Sequence, residues 1–425
     1  MQAKTRDLHN SSSKSPLFYI WVIIISVSFV MMAAGGARGA FGVFFKPMAN
    51  DFGWSAAEIS GTFSFSMIIE GIVSAISGWL SDKFGTKIVL VFSGLISGAG
   101  FILMSQVQVM WQMYLIYGLA MGIGLGGIVV PIVSILAKRF IANRTLMTGI
   151  ALAAYGLGQL ISPLIAHKLI SDYSWRTSYI ILGLLLLILI ILPALFLKRP
   201  RLKSEETQQV NDMSQEHYLK RVTVNYSFKE ARHTKQYWMM IIMQSCYIYC
   251  LLSIMVHTVP FAIEIGIPAS IAAVILSSVA GAMIFGRLGL GALADRIGGK
   301  LNIMIGFIVL LVSLLWLTQS REIWALFIFS IVCGLGLGGI SSSGSPLSAE
   351  YFGSKSHGTI YGVMAGFCVV LGATGPFLTG YLFDLTGHYQ ISFMVCSFLS
   401  FTGLIVCIML RPPDRSMTRT RMRSN

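Results

Sequence analysis

The sequence predicts an all-α membrane protein with twelve transmembrane helices arranged as two six-helix bundles. Three observations predict it. The 425-residue chain is 55% hydrophobic and only 11% charged. Its apolar residues gather into twelve runs, each near the roughly 20 residues that cross a bilayer. The second half of the chain then repeats landmarks of the first at a fixed spacing.

Composition sets the solvent. Soluble domains carry about 25% charged residues. A water-soluble fold of this size has no place to hide so much apolar surface, whereas lipid accepts apolar side chains facing outward. The runs predict helices at 17–45, 57–80, 86–106, 109–137, 145–170, 175–197, 236–264, 268–294, 300–319, 322–348, 356–384 and 388–410. The chain then divides into a tail (1–16), a first bundle (17–197), a linker (198–235), a second bundle (236–410) and a second tail (411–425). The basic start, the first apolar run and the small residues Ala33–Ala37 also resemble a cleaved signal peptide. Cleavage would leave eleven helices and break the pairing of halves, so the run is read as a helix.

The net charge of +14 excludes less than it suggests. The basic residues form no single patch or nucleic-acid motif, so no nucleic-acid partner is expected. They sit between the apolar runs. Of the 31 lysines and arginines, Lys46, Lys168, Arg176 and Arg321 fall in the outer loops, Arg38 and Arg287 fall within spans, and the rest lie on the other side. The positive-inside rule then places both termini in the cytoplasm. The Asn10, Asn143 and Asn225 N-x-S/T triplets fall on that same side and read as chance matches. The six cysteines all lie in apolar runs and read as small buried hydrophobes. The long polar segment from Lys198 to Lys235 reads as a solvated linker, with a short surface helix over 227–236 leading to Tyr237 and Trp238 at the interface.

The repeat is specific. Gly78-Trp-Leu80-Ser-Asp82-Lys83-Phe-Gly85-Thr-Lys87 follows helix 2, and Gly291-Ala-Leu293-Ala-Asp295-Arg296-Ile-Gly298-Gly-Lys300 follows helix 8, 213 positions later. Ser162-Pro163 and Gly375-Pro376 share that spacing. The pattern G-x-L-x-D-[RK]-x-G-x-[RK], present twice at corresponding places, resembles the cytoplasmic loop signature of the major facilitator superfamily. The resemblance implies two bundles around a central cavity, which opens alternately to either side as one bundle rocks against the other. Asp82 and Asp295 are expected to sit near the N-terminus of a neighbouring helix and its cations, Arg144 among them. With Arg296 they would form a latch on the cytoplasmic side.

Charges within spans are costly, by about 2.5–3.5 kcal/mol or more, so each is a candidate for function. Arg287 lies eight residues before Asp295, about 12 Å along the helix, and its guanidinium suits a carboxylate. A structural ion pair is the alternative. His257, ahead of Pro260, and Glu264, two turns further on, suit proton coupling; the alternative is a neutral histidine bonded to a carbonyl freed by Pro260. Arg38 and Glu70 either pair with each other or leave Arg38 to supply a second charge to the cavity. Tyr155 and the helix-10 serines, Ser342 in particular, are candidates to line it. The glycines of helices 4 and 10 read as close-packing positions. No nucleophile–base pair, metal-ligand cluster or phosphate loop stands out, so neither a cofactor nor an enzyme is expected.

Arg38-Gly-Ala-Phe41-Gly42-Val-Phe44-Phe45-Lys46-Pro47, then Phe52-Gly53-Trp54-Ser55, with Gly286-Arg287 and Trp175-Arg176, resembles the monocarboxylate porter and oxalate:formate antiporter branch. That resemblance implies small organic anions, often moved with a proton. It implies that Arg287 holds the carboxylate and aligns Arg38 within about one position of a helix-1 lysine of the animal carriers. Two departures stand out. The animal carriers place an aspartate one turn before the helix-8 arginine, where this chain has Met283. Oxalate exchangers carry a lysine within helix 11, whereas Lys355 lies at its cytoplasmic end and 360–382 has none. The expected function is proton-coupled symport of a small monocarboxylate such as lactate or pyruvate, by a monomer in a bacterial inner membrane. Anion exchange is the alternative, ahead of drug efflux, hinted at by Gly158-x-x-x-Ser162-Pro163, and of a non-transporting sensor.

Overall fold

The computed structural model describes residues 16–54, 56–197 and 225–413. The first tail, most of the linker and most of the second tail therefore lie outside the described residues. Twelve helices are long and apolar enough to cross a membrane. They are α1 (Pro16–Phe52), α2 (Ala56–Phe84), α3 (Thr86–Met104), α4 (Met110–Arg139), α5 (Arg144–Asp172) and α6 (Trp175–Phe196) in the first half. The second half holds α7 (Lys235–Glu264), α8 (Ala269–Ile297), α9 (Gly299–Gln319), α10 (Ile323–Phe352), α11 (His357–Gly372, then Thr374–Thr386) and α12 (Gln390–Met409). The described chain contains no strand. The main departure from the sequence expectation is α1, which runs seven residues past Phe45 and keeps Pro47 inside it. α4 carries a π-helical stretch, Tyr114–Met121, that no apolar pattern foretells.

Local chemistry fixes the ends. Gly85 and Gly298 both sit at φ +96°, where a side chain would be strained, and turn the chain between α2 and α3 and between α8 and α9. They are 213 positions apart, so the repeat extends to backbone geometry. Ser174 caps α6 and Thr234 caps α7, each side chain accepting from an amide three residues on. The expected surface helix is present but short, Phe228–Ala231, with Ser227 and Glu230 forming a capping box. Tyr237 is buried against Phe352, while Trp238 is half-exposed.

Burial separates the halves. The buried apolar residues fall into two clusters, one running from Ile23 to Leu197 and the other from Tyr226 to Leu410. Each bundle has its own core. Helix pairings repeat between them: α1 on α5, α2 on α4 and α3 on α6 correspond to α7 on α11, α8 on α10 and α9 on α12. The bundles meet mainly through α2 on α11 and α5 on α8. The exterior is apolar, with Phe285 and Phe377 each 72% exposed, as a lipid-facing surface requires. All six cysteines are buried and free.

Candidate functional site

The two repeated loops build matching clasps between the bundles. Asp82, at the end of α2, accepts from the amides of Gly358 (3.1 Å) and Thr359 (2.7 Å) at the start of α11. The Thr359 hydroxyl donates to it as well, and Lys138 pairs with it at 2.5 Å. Asp295, at the end of α8, accepts from the amides of Thr145 and Leu146 at the start of α5, both at 2.9 Å. The carboxylate and both amide donors of one clasp lie 213 positions from their counterparts in the other, while Lys138 has no such counterpart among the bonds of the second clasp named here. A carboxylate at a helix N-terminus meets unpaired amides and the positive end of the helix dipole. Arg144 is buried and close enough to act on Asp295. Arg296 is exposed, and among the described residues it forms no ion pair.

Above the clasps the helices approach backbone to backbone. A methyl group on Gly78 would stand 2.0 Å from the carbonyl oxygen of Gly358, and one on Gly149 2.2 Å from that of Arg287. Ser74, Gly362 and Gly366 continue the α2–α11 contact up to Gly71. The bonds between bundles named here all lie on the motif side of Glu70 and Arg287. That side is closed in this conformation.

The charged residues of the spans lie further from the motif loops than the clasps. Arg287 is 6% exposed. It donates to the carbonyl oxygen of Leu152 on α5 at 2.5 Å and to Ser341 Oγ at 3.3 Å. Among the described residues no carboxylate pairs with it, so the structural ion pair is not formed. Tyr155 of α5 and Tyr247 of α7 stand close to it. Arg38 pairs with Glu70, and its guanidinium lies 5.3 Å from the centre of the Phe63 ring. Tyr155 also lies close to Arg38. Tyr117 is near the same pair.

The other expected residues lie elsewhere. Ser342 is fully buried and donates back to the carbonyl of Gly339 on its own helix, while its neighbour Ser341 takes the contact with Arg287. His257 is bonded through Nε2 to the carbonyl oxygen of Pro376 (3.0 Å) and through Nδ1 to the Tyr389 hydroxyl (3.4 Å). That carbonyl belongs to α11 rather than to the turn before Pro260. Glu264 closes the end of α7, pairing with His388 at 2.9 Å. Tyr247, Tyr117 and Phe63 were not anticipated; a tyrosine in the middle of an apolar span was the available signal for the first two. Near the end of α1, Trp175 Nε1 donates to Asp51 at 2.6 Å, and Arg176 binds the carbonyls of Ser105 and Val107.

The family model of the Major Facilitator Superfamily matches residues 27–321 and 290–424. The chain belongs to the major facilitator superfamily. It is therefore a transporter and not an enzyme. Monocarboxylate transporter 13 of Rattus norvegicus is 26% identical over 92% of the chain and 88% of that protein. The agnestins efflux protein AgnL12 of Paecilomyces divaricatus is 23% identical over 91% of the chain and 84% of its own length. The solved structure of the superfamily transporter FucP, in the outward conformation, superposes with a TM-score of 0.74 at 15% identity. It covers 93% of this chain and all of FucP, a likeness of fold. The relatives include animal and fungal proteins, so the bacterial inner membrane is not carried forward.

Proposed function

We propose that the chain is a secondary active transporter of small monocarboxylates of the lactate and pyruvate kind, moved with a proton by alternating access. One observation carries the reading: Arg287 is a buried guanidinium at mid-span with no carboxylate partner among the described residues. A buried charge demands a counter-charge. A substrate carboxylate supplies it, with two parallel hydrogen bonds to the guanidinium. Tyr155 and Ser341 border the same spot, and Arg38 lies close to Tyr155. Similarity to a monocarboxylate transporter over most of the chain supports the same substrate class.

In this reading the clasped face is cytoplasmic, as the distribution of lysine and arginine requires. The conformation is then open to the outside, and the cycle breaks both clasps to release substrate inward. His257 and Glu264 lie toward the open end and hold α7 to α11 and to the start of α12. The test is uptake of labelled lactate or pyruvate into proteoliposomes. Accumulation driven by an inward pH gradient and abolished by Arg287→Ala is expected. Uptake indifferent to the gradient refutes the coupling; full transport by Arg287→Ala refutes the anchor.

A further inference from the structure

We infer that Glu70 carries the coupled proton and that Arg38 is the cation it hands to the substrate. The inference rests on the reading of Arg287 as the carboxylate anchor of a proton-coupled carrier, and adds the site of the proton.

Three ion pairs are described in the structure. Lys138–Asp82 lies at the clasped face and His388–Glu264 at the opposite end. Arg38–Glu70 alone among them lies well away from the span ends, with side chains 15% and 21% exposed. Glu70 stands twelve residues before Asp82, about 18 Å along α2 from the clasp. The repeat places it further. Position 70 corresponds to Met283 of α8, and Arg287 corresponds to Ser74 of α2. One bundle thus supplies a carboxyl group and the other a cation, a single turn apart across the internal symmetry. Tyr155 lies close to both Arg38 and Arg287.

The surroundings of Glu70 can be listed by helix. α1 presents Arg38, α4 presents Tyr117, α5 presents Tyr155, and α11 brings Gly366, Val369 and Val370 against the neighbouring Gly71. Arg38 is the only one of these carrying a fixed charge.

The charges then balance. With Glu70 ionised, Arg38 is neutralised and the cavity carries the one positive charge of Arg287. A monocarboxylate alone brings it to zero. A monocarboxylate and a proton on Glu70 restore one positive charge, so the empty and fully loaded carriers match. The substrate's negative charge favours protonation of the nearby Glu70, because two adjacent carboxylates resist ionising together. Protonation in turn frees Arg38 to bind the substrate from the side opposite Arg287. Each event strengthens the other by the same free energy.

The experiment uses the full chain in proteoliposomes with lactate and pyruvate. An inward gradient of one pH unit supports about tenfold accumulation in a one-to-one symporter. Wild type should approach that ratio. Glu70→Gln, a fixed mimic of the protonated state, should equilibrate at a ratio of one while still exchanging internal for external substrate at a rate that no longer varies with pH. Glu70→Gln accumulating as wild type overturns this inference and leaves the proposed function standing. Wild type failing to respond to the gradient overturns both. If Glu70→Gln does not fold, the Arg38→Gln/Glu70→Gln double variant, which leaves no charge unpaired, is read in the same way. Folding of neither variant leaves the wild type to decide: lactate added in weak buffer should draw about one proton from solution and raise a protonated-carboxyl infrared band. Absence of both signals overturns the assignment.

Discussion

Replacing Asp82 by asparagine removes a charge from the start of α11 and leaves one acceptor oxygen where two amides now bond. A hydrogen bond to a charged group contributes about 1.5–3 kcal/mol, against about 1 for a neutral one. The helix dipole adds about 0.3–1 kcal/mol. Asparagine keeps the weaker share, so the closed state should lose about 2–3 kcal/mol. That is a ~30- to ~150-fold shift toward opening of the motif face. Asp295→Asn should shift the equilibrium to within about tenfold of the same extent, since its two amide bonds are the repeat of those at Asp82. Spin labels attached through Lys87→Cys and Lys355→Cys, both exposed on the motif face and on opposite bundles, report the distance. The native cysteines are buried and stay unlabelled. A long-distance population should grow in both variants. An unchanged distribution, or a shift in one variant with silence in the other, refutes the paired-clasp account.

Arg287→Lys keeps the charge but loses the paired donors, and should raise the substrate dissociation constant by at least about tenfold, measured by lactate-dependent thermal shift. His257→Ala removes its bonds to the Pro376 carbonyl and the Tyr389 hydroxyl, so thermal unfolding should show a loss of about 1–3 kcal/mol while pH-driven accumulation persists. Gly158→Ala drives a methyl to 1.9 Å of the Met32 carbonyl inside the first bundle and should destabilise folding. Gly78→Ala meets Gly358 between bundles instead, and should leave the melting temperature nearly unchanged while lengthening the Lys87–Lys355 distance.

The helices were legible because bilayer thickness imposes one length on all of them. The clasps were legible because the same loop stands twice, and a carboxylate beside glycines at a helix junction has few partners but amides. Arg287 stood out because a charge among apolar residues of a span is costly. Its neighbours did not. Ser341 and Ser342 look alike in sequence, and only the rotation of α10 against α8 decides which one meets the guanidinium. The carbonyl held by His257 comes from a residue 119 positions away, a pairing set by how α7 and α11 cross. The pairing of Arg38 with Glu70 was among the possibilities raised by composition, but the tyrosine close to both Arg38 and Arg287 depends on α1 and α5 meeting closely. A methyl on Gly35 there would lie 2.0 Å from the Tyr155 carbonyl oxygen.

The acceptors of each clasp are side chains, but the amide donors belong to the main chain. Any residue other than proline offers that donor, so the receiving helices keep the bonds through most changes of sequence that respect their size limits. The acidic ends have no such freedom. Among the clasp residues, heritable loss of the bonds is therefore concentrated at the codons of Asp82 and Asp295, while the helix ends they grip can vary within the size limit that Gly358 sets.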